Sequence, residues 1–170
     1  MSVRQDSVAV TQSRVEMTEI VLPTHTNNHG TVFGGQIAAW CDICAAVAAQ
    51  RFCRGPVVTA SMDELHFLLP VRKGMVVVLK GQVNQSWRTS MEIGVRVEAE
   101  DPHTGLRSHC CSAYLTFVAL DGNGLPRVVP TTDQEGDALQ ERRASDAQLR
   151  RDARLQMREV RRKSHDSGSC

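Results

Sequence analysis

The sequence predicts an α+β domain in which one long buried helix lies against an antiparallel sheet. Three observations carry this. Residues 34–50 are apolar on nearly every side, with Asp42 the only charged residue, and a helix of that kind is normally buried. Five other segments, 13–22, 57–67, 75–85, 90–100 and 106–120, show the alternation or the β-branched enrichment of strands. The links between the last four are short and rich in turn residues, which favours antiparallel pairing.

Taken in order, residues 1–12 read as a loose, flexible polar leader. The strand 13–22 stops at Pro23, and a polar loop runs through Phe33. Gly34 and Gly35 open the helix, which continues to about Phe52, where Gly55-Pro56 breaks it. The strand 57–67 starts β-rich, although Asp63-Glu64 is an unusual pair for its interior. A turn at 70–74 leads to the strand 75–85, with Gly81 as a bulge candidate. Residues 86–89 connect it to 90–100, and the Pro- and Gly-bearing turn 101–105 leads to 106–120. These elements make one domain, 13–130. The remaining tail, 131–170, is rich in Arg, Asp and Glu. Within it, 141–163 reads as an exposed helix with scattered ion pairs, and 164–170 as disordered. One sheet does not cover a helix that is apolar all round, so a second copy of the chain is expected.

Composition narrows the function. The formal net charge is +1, which predicts no strong attraction to nucleic acid or to an acidic membrane. Acids nearly balance the tail arginines. No apolar run approaches the roughly 20 residues that span a bilayer, and residues 1–16 contain no apolar signal core. The expected location is the cytoplasm. Six cysteines stand at 41, 44, 53, 110, 111 and 170. Cys41 and Cys44 have metal-site spacing but lie inside the apolar helix, and adjacent Cys110 and Cys111 would point to opposite faces of a strand. Buried thiols, without a metal, are expected.

Chemistry is concentrated in the stretch Thr26-Asn27-Asn28-His29-Gly30-Thr31-Val32-Phe33-Gly34-Gly35, followed seven residues later by Asp42. This pattern resembles the hotdog-fold acyl-CoA thioesterases, and within them the bacterial short-chain and mammalian cytosolic brain-type acyl-CoA hydrolases. Residues 57–61, 67–74, 90–93 and 114–118 are similar to further pieces of that family, in the same order. The resemblance implies a hotdog fold, an antiparallel sheet wrapped around the helix, paired into a double hotdog. Three such dimers would form a hexamer. It implies an active site between subunits, with Asn27 from one and Asp42 from the other. The implied reaction is hydrolysis of acyl-CoA to free acid and CoA, with no metal or separate cofactor, coenzyme A being part of substrate and product.

The residues suit that chemistry. A carboxylate in an apolar helix is costly unless it is paired or used. Asp42 can act as general base on water or as a nucleophile, or it can be the structural partner of a core arginine. Asn27 offers both a donor and an acceptor, to orient water or to bond the thioester oxygen, or it can cap a turn. The backbone N–H groups of Gly34 and Gly35 stand at the positive end of the helix, where an oxyanion is favoured. Thr59 and Ser61 are candidates to line the acyl or pantetheine channel. Arg88, Thr89 and Ser90 are candidates to hold CoA phosphate. His25 and His29 are loop histidines the pattern does not need, and Trp40 reads as core. A hotdog dehydratase acting on 3-hydroxyacyl thioesters is an alternative, disfavoured because no histidine lies near Asp42 in the helix. The other is a non-catalytic acyl-CoA-binding module.

Overall fold

The computed structural model describes residues 6–63 and 65–166. Residues 1–5 of the leader, Glu64 and residues 167–170 lie outside the described residues; of the segment 164–170 expected to be disordered, residues 164–166 instead continue the tail helix. A curled five-stranded antiparallel sheet wraps one long helix. The helix is α1 (Gly34–Cys53). The strands are β2 (Val15–Ile20), β3 (Val57–Met62), β4 (Val76–Ser86), β5 (Ser90–Glu100) and β6 (Arg107–Ala119), in the order β2-β4-β5-β6-β3. The α+β architecture read from the sequence is therefore present, with the helix where the apolar pattern put it.

The inner face of the sheet is apolar. Leu79, Val83, Met91, Ile93, Leu115 and Phe117 close on Ile37, Trp40, Cys44 and Phe52 of α1. Each large side chain so buried contributes about 1.5–3 kcal/mol. The helix ends at Arg54, whose left-handed backbone (φ 53°) donates its N–H to the Gln50 carbonyl at 2.8 Å. The break thus comes one residue before Gly55.

Several local expectations change. Residues 7–9 are not loose: β1 (Ser7–Ala9) pairs in parallel with β7 (Thr131–Asp133). Val10 is fully buried beside them, and the Ser13 hydroxyl donates to the Val10 carbonyl at 2.6 Å and accepts from the Val83 N–H at 2.9 Å. Gly81 is not a bulge. It pairs in register with Val15 and Val95, and a Cβ there would lie 2.9 Å from Cys44 Sγ, so glycine is needed where α1 approaches the sheet. The register shift in β4 falls between Val83 and Gln85 instead. β3 is shorter than expected, and it shifts register between Thr59 and Ser61.

The thiols also depart from the simple picture. Cys41, Cys44, Cys53, Cys110 and Cys111 are free and buried. Cys110 sits at the register shift between β5 and β6, where its thiol turns in to the Val97 carbonyl at 3.5 Å. The two adjacent cysteines are therefore both buried. Burial pushes the Cys44 thiol up to about 11 and the Cys111 thiol to about 12, so both stay protonated and unreactive. Among the described residues, no group of His, Cys, Asp and Glu could hold a metal ion, and no helix is long and apolar enough to cross a membrane.

The tail helix, α2 (Ala138–Asp166), is docked rather than wholly exposed. Its first half lies across the outer face of the sheet and buries Gln140 and Ala147. Arg150 makes a two-pronged contact with Glu92, at 2.7 and 3.1 Å, and Arg154 meets both carboxylate oxygens of Asp63. The same Arg150 guanidinium stacks 3.7 Å over the Tyr114 ring. Two of the arginines that made the tail look solvated, Arg150 and Arg154, are its anchors, while Arg158, Arg161 and Arg162 are exposed.

Candidate active site

Asp42 stands on α1 two turns from its start and is half-buried in the single chain. The edge strand β3 runs beside it. Thr59 pairs with Phe117, whose side chain is in the core, and so faces inward. From there its hydroxyl donates to Asp42 Oδ1 at 2.7 Å. A hydroxyl donated to a carboxylate is a strong, orienting bond, and it fixes the acid against the helix. No core arginine pairs with Asp42 among the described residues to make it structural. Among the described residues, the ion pairs go to Asp63, Glu92, Glu98, Glu100 and Glu159.

Asn27 lies in the loop before α1, where Thr26 bridges Val32 and the Asn27 N–H donates to the Thr31 carbonyl at 2.9 Å. Its Oδ1 accepts from the N–H groups of His29 (2.9 Å) and Thr31 (3.3 Å). Its Nδ2 donates to Thr31 Oγ1 at 3.0 Å. The residue therefore does shape a turn, as Asn commonly does. An amide nitrogen carries two hydrogens, and Thr31 is the one acceptor it meets among the described residues, so one N–H is left over there. The acceptor end is used inside the loop, and the chemistry open to Asn27 is donation. Asn28 is exposed on the same loop. His25 is structural: its Nδ1 accepts from the Leu22 N–H at 3.2 Å and its ring meets Trp40 edge-on at 5.1 Å.

Phe33 caps α1 with no side-chain bond, and the first bonds inside the helix are donated by Gln36 and Ile37 to the Phe33 carbonyl. The N–H groups of Gly34 and Gly35 precede them and point out of the helix start. A Cβ on Gly35 would meet nothing within 4 Å, whereas one on Gly34 would lie 3.3 Å from the Phe67 ring. Asp42 is about 12 Å further along the same axis, so the start of α1 and Asp42 cannot serve one small reacting group within a single chain.

The other candidates separate. The register shift puts Ser61 opposite Thr116 on the outer face, while Thr59 stays on the inner face with Asp42. A regular strand would have put both on one side. Arg88 and Thr89 form the hairpin between β4 and β5, where their carbonyls accept from Val129 and Ala119. Ser90 faces outward and receives Arg151 at 3.4 Å. It lies two strand spacings from β3, about 10 Å. The structure thus joins Asp42 and Thr59, and leaves Ser61 and Ser90 on the opposite face of the sheet.

Two cavities stand out, one beside the helix start and one across the sheet from it. One, about 290 Å³, opens beside the helix start and is lined by Thr31, Val32, Gly34, Phe67, Leu68, Leu69, Pro70 and Val71. It is apolar and adjoins the Asn27 loop. Sequence reading missed Thr31 and Phe67 as lining residues; the only signal was their position within the quoted segments. The larger, about 610 Å³, lies on the outer face under the start of α2 and is lined by Arg14, Lys80, Arg96, Arg142 and Arg143 among others. It is not lined by Asp42, Thr59 or Asn27.

Comparison with known proteins bears on the family and the fold. The profile of the thioesterase superfamily matches residues 29–106. The chain is 44% identical over 128 residues to an uncharacterized acyl-CoA thioester hydrolase of Bacillus subtilis, spanning 73% of this chain and 74% of that one. Mammalian relatives, such as mouse acyl-coenzyme A thioesterase 11 and rat cytosolic acyl coenzyme A thioester hydrolase, are longer, and the chain spans 25% and 36% of their lengths. Among solved structures, an acyl-CoA hydrolase from Staphylococcus aureus in complex with butyryl coenzyme A and coenzyme A matches with a TM-score of 0.86 and 30% identity, covering 95% of this chain and 98% of that one. That enzyme is also solved with an aspartate, an asparagine or a threonine changed to alanine. An apo-hexameric acyl-CoA thioesterase matches with a TM-score of 0.85 and 36% identity, over 89% and 97% of the two chains.

Proposed function

The chain belongs to the acyl-CoA thioester hydrolases of the thioesterase superfamily, and from that premise we propose that it hydrolyses acyl-CoA to a free carboxylic acid and CoA at a site shared by two copies of the chain. The observation that carries the reading is the Thr59–Asp42 bond, which holds a carboxylate that has no ion-pair partner among the described residues. A thioester is already activated. The protein must present water, or an attacking carboxylate, and steady the oxyanion that develops.

In this reading Asp42 is the base or nucleophile, and Thr59 holds one of its oxygens so that the other faces the thioester. The free N–H of Asn27 and the N–H groups of Gly34 and Gly35 donate to the thioester oxygen. Asn27 and the helix start come from one subunit and Asp42 from its partner, which removes the difficulty of a 12 Å separation, about eight residues of helix rise. The residue types changed to alanine in the S. aureus enzyme are those of Asp42, Asn27 and Thr59. The apolar pocket beside Phe67 takes the acyl group, and coenzyme A enters and leaves as part of substrate and product. Arg88, Thr89 and Ser90 are the candidates to meet its phosphates, from a neighbouring subunit.

Pairing has its own support. β3 is an edge strand, and an unpaired edge beside apolar surface invites another strand. Ile43 (54% exposed) on α1, Val58 and Met62 on β3, and Phe67 and Leu68 (61%) after it are large exposed apolar residues. Two copies joined along β3 would form the double hotdog, and three such dimers a hexamer. Buried free thiols suit a reducing cytoplasm.

The test is release of free thiol from acyl-CoAs of several chain lengths, by wild type and by Asp42→Asn. Activity in wild type that falls about 100-fold or more in the variant, the scale of lost acid–base or nucleophilic chemistry, supports the reading. Equal rates would return Asp42 to a structural role.

A further inference from the structure

We infer that Thr31 is a positioning residue for Asn27: it locks the amide so that the oxygen faces the loop and one N–H faces the substrate. The inference rests on the proposed role of Asn27. Thr31 Oγ1 lies 3.0 Å from Asn27 Nδ2 and 3.2 Å from Oδ1, so a single hydroxyl touches both ends of the amide. It accepts from the nitrogen and donates to the oxygen, a pairing that a hydroxyl supplies from one atom.

The backbone explains why the amide has one sense. Oδ1 faces two N–H donors, those of His29 and Thr31. Reversing the amide would aim an NH₂ group at two other donors. Those bonds choose the orientation but leave the plane loosely held, because rotation about the terminal torsion of Asn is broad. Thr31 Oγ1 supplies the remaining restraint. It also occupies one amide hydrogen, so only one direction of donation remains. The loop that brings Thr31 back over Asn27 depends on Gly30, whose φ is +73°, a value that favours glycine. Thr31 lines the apolar pocket as well, so the aligned amide borders the space given to the acyl group.

The experiment is steady-state kinetics on one acyl-CoA for Thr31→Val, Thr31→Ser, Asn27→Ala and the double variant Thr31→Val/Asn27→Ala, with a thermal melt of each. Valine keeps the shape and removes the hydroxyl; serine keeps the hydroxyl. The expected result is a fall in kcat of about 10-fold for Thr31→Val with KM little changed, the effect of one lost orienting hydrogen bond. Thr31→Ser should return kcat to within about 2-fold of wild type. In the Asn27→Ala background the valine change should add nothing. Independent, multiplying losses, or a rise in KM alone, would overturn the inference and leave Thr31 as pocket wall. If Asn27→Ala is severely impaired while Thr31→Val is not, the inference falls and the role of Asn27 stands. If Asn27→Ala keeps the wild-type rate, both fall. Should Thr31→Val melt early, Thr31→Ala against Thr31→Ser makes the same comparison.

Discussion

The two faces of the sheet are built from different chemistry. The inner face closes on α1 through apolar side chains such as Ile93, Leu115 and Phe117, all nearly or fully buried. The outer face closes on α2 through polar ones. Glu92, fully buried, is held by Arg150 and by the amide of Asn84 at 3.0 Å. Gln82 donates to Gln140 at 2.5 Å, and Trp87 donates to Gln148 at 2.8 Å. An apolar contact tolerates many neighbours and is written in a repeating pattern. A buried polar group must have its particular partner, and that partner can be anywhere in the chain. The inner face also carries the proposed chemistry, while the outer face holds the tail.

Breaking the outer face should cost the most stability. Arg150→Met leaves the Glu92 carboxylate buried with Asn84 as its one remaining side-chain donor among the described residues, and losing one partner of a buried pair costs about 3–5 kcal/mol. Urea unfolding should show that loss, while thiol release per folded enzyme stays near wild type. The mirror experiment is Asp42→Asn. Its loss of about 100-fold corresponds to about 2.7 kcal/mol of transition-state stabilisation, and its melting temperature should hardly move. A stable, inactive Arg150→Met protein would break the division between the two faces.

A smaller effect tests the inner packing. Gly81→Ala puts a Cβ 2.9 Å from Cys44 Sγ and should cost about 1–3 kcal/mol by overpacking. Adding Cys44→Ala should recover part of it, since the two sites share one space. Denaturation midpoints of the two variants check this.

The smallest effect is electrostatic. The hydrogen bond from Arg96, and then that from Lys80, holds the Glu98 carboxyl below its ordinary 4.5. A carboxyl lowered in the folded state contributes stability that is present above the unfolded value and lost as pH falls through the folded one. Wild type should therefore exceed Glu98→Gln in melting temperature at pH 7, by a small margin because Lys80 and Arg96 are well exposed. The two proteins should converge below the folded value. A gap that persists at low pH would mean packing, not charge.

By itself the sequence determined the buried helix, the five strands around it and the loop-and-acid pattern of Asn27, Gly34, Gly35 and Asp42. Each is a local feature, carried by periodicity, by glycine placement or by a short motif. Only the tertiary structure decided that Asp42 is half-buried against Thr59. Only the register shift in β3 decided that Ser61 turns away from it, because such a shift is set by strand pairing and leaves no periodic mark. The tail shows the same limit most plainly. Arg150 and Glu92 are 58 residues apart in sequence, and no local pattern distinguishes an arginine that meets water from one that meets a buried carboxylate.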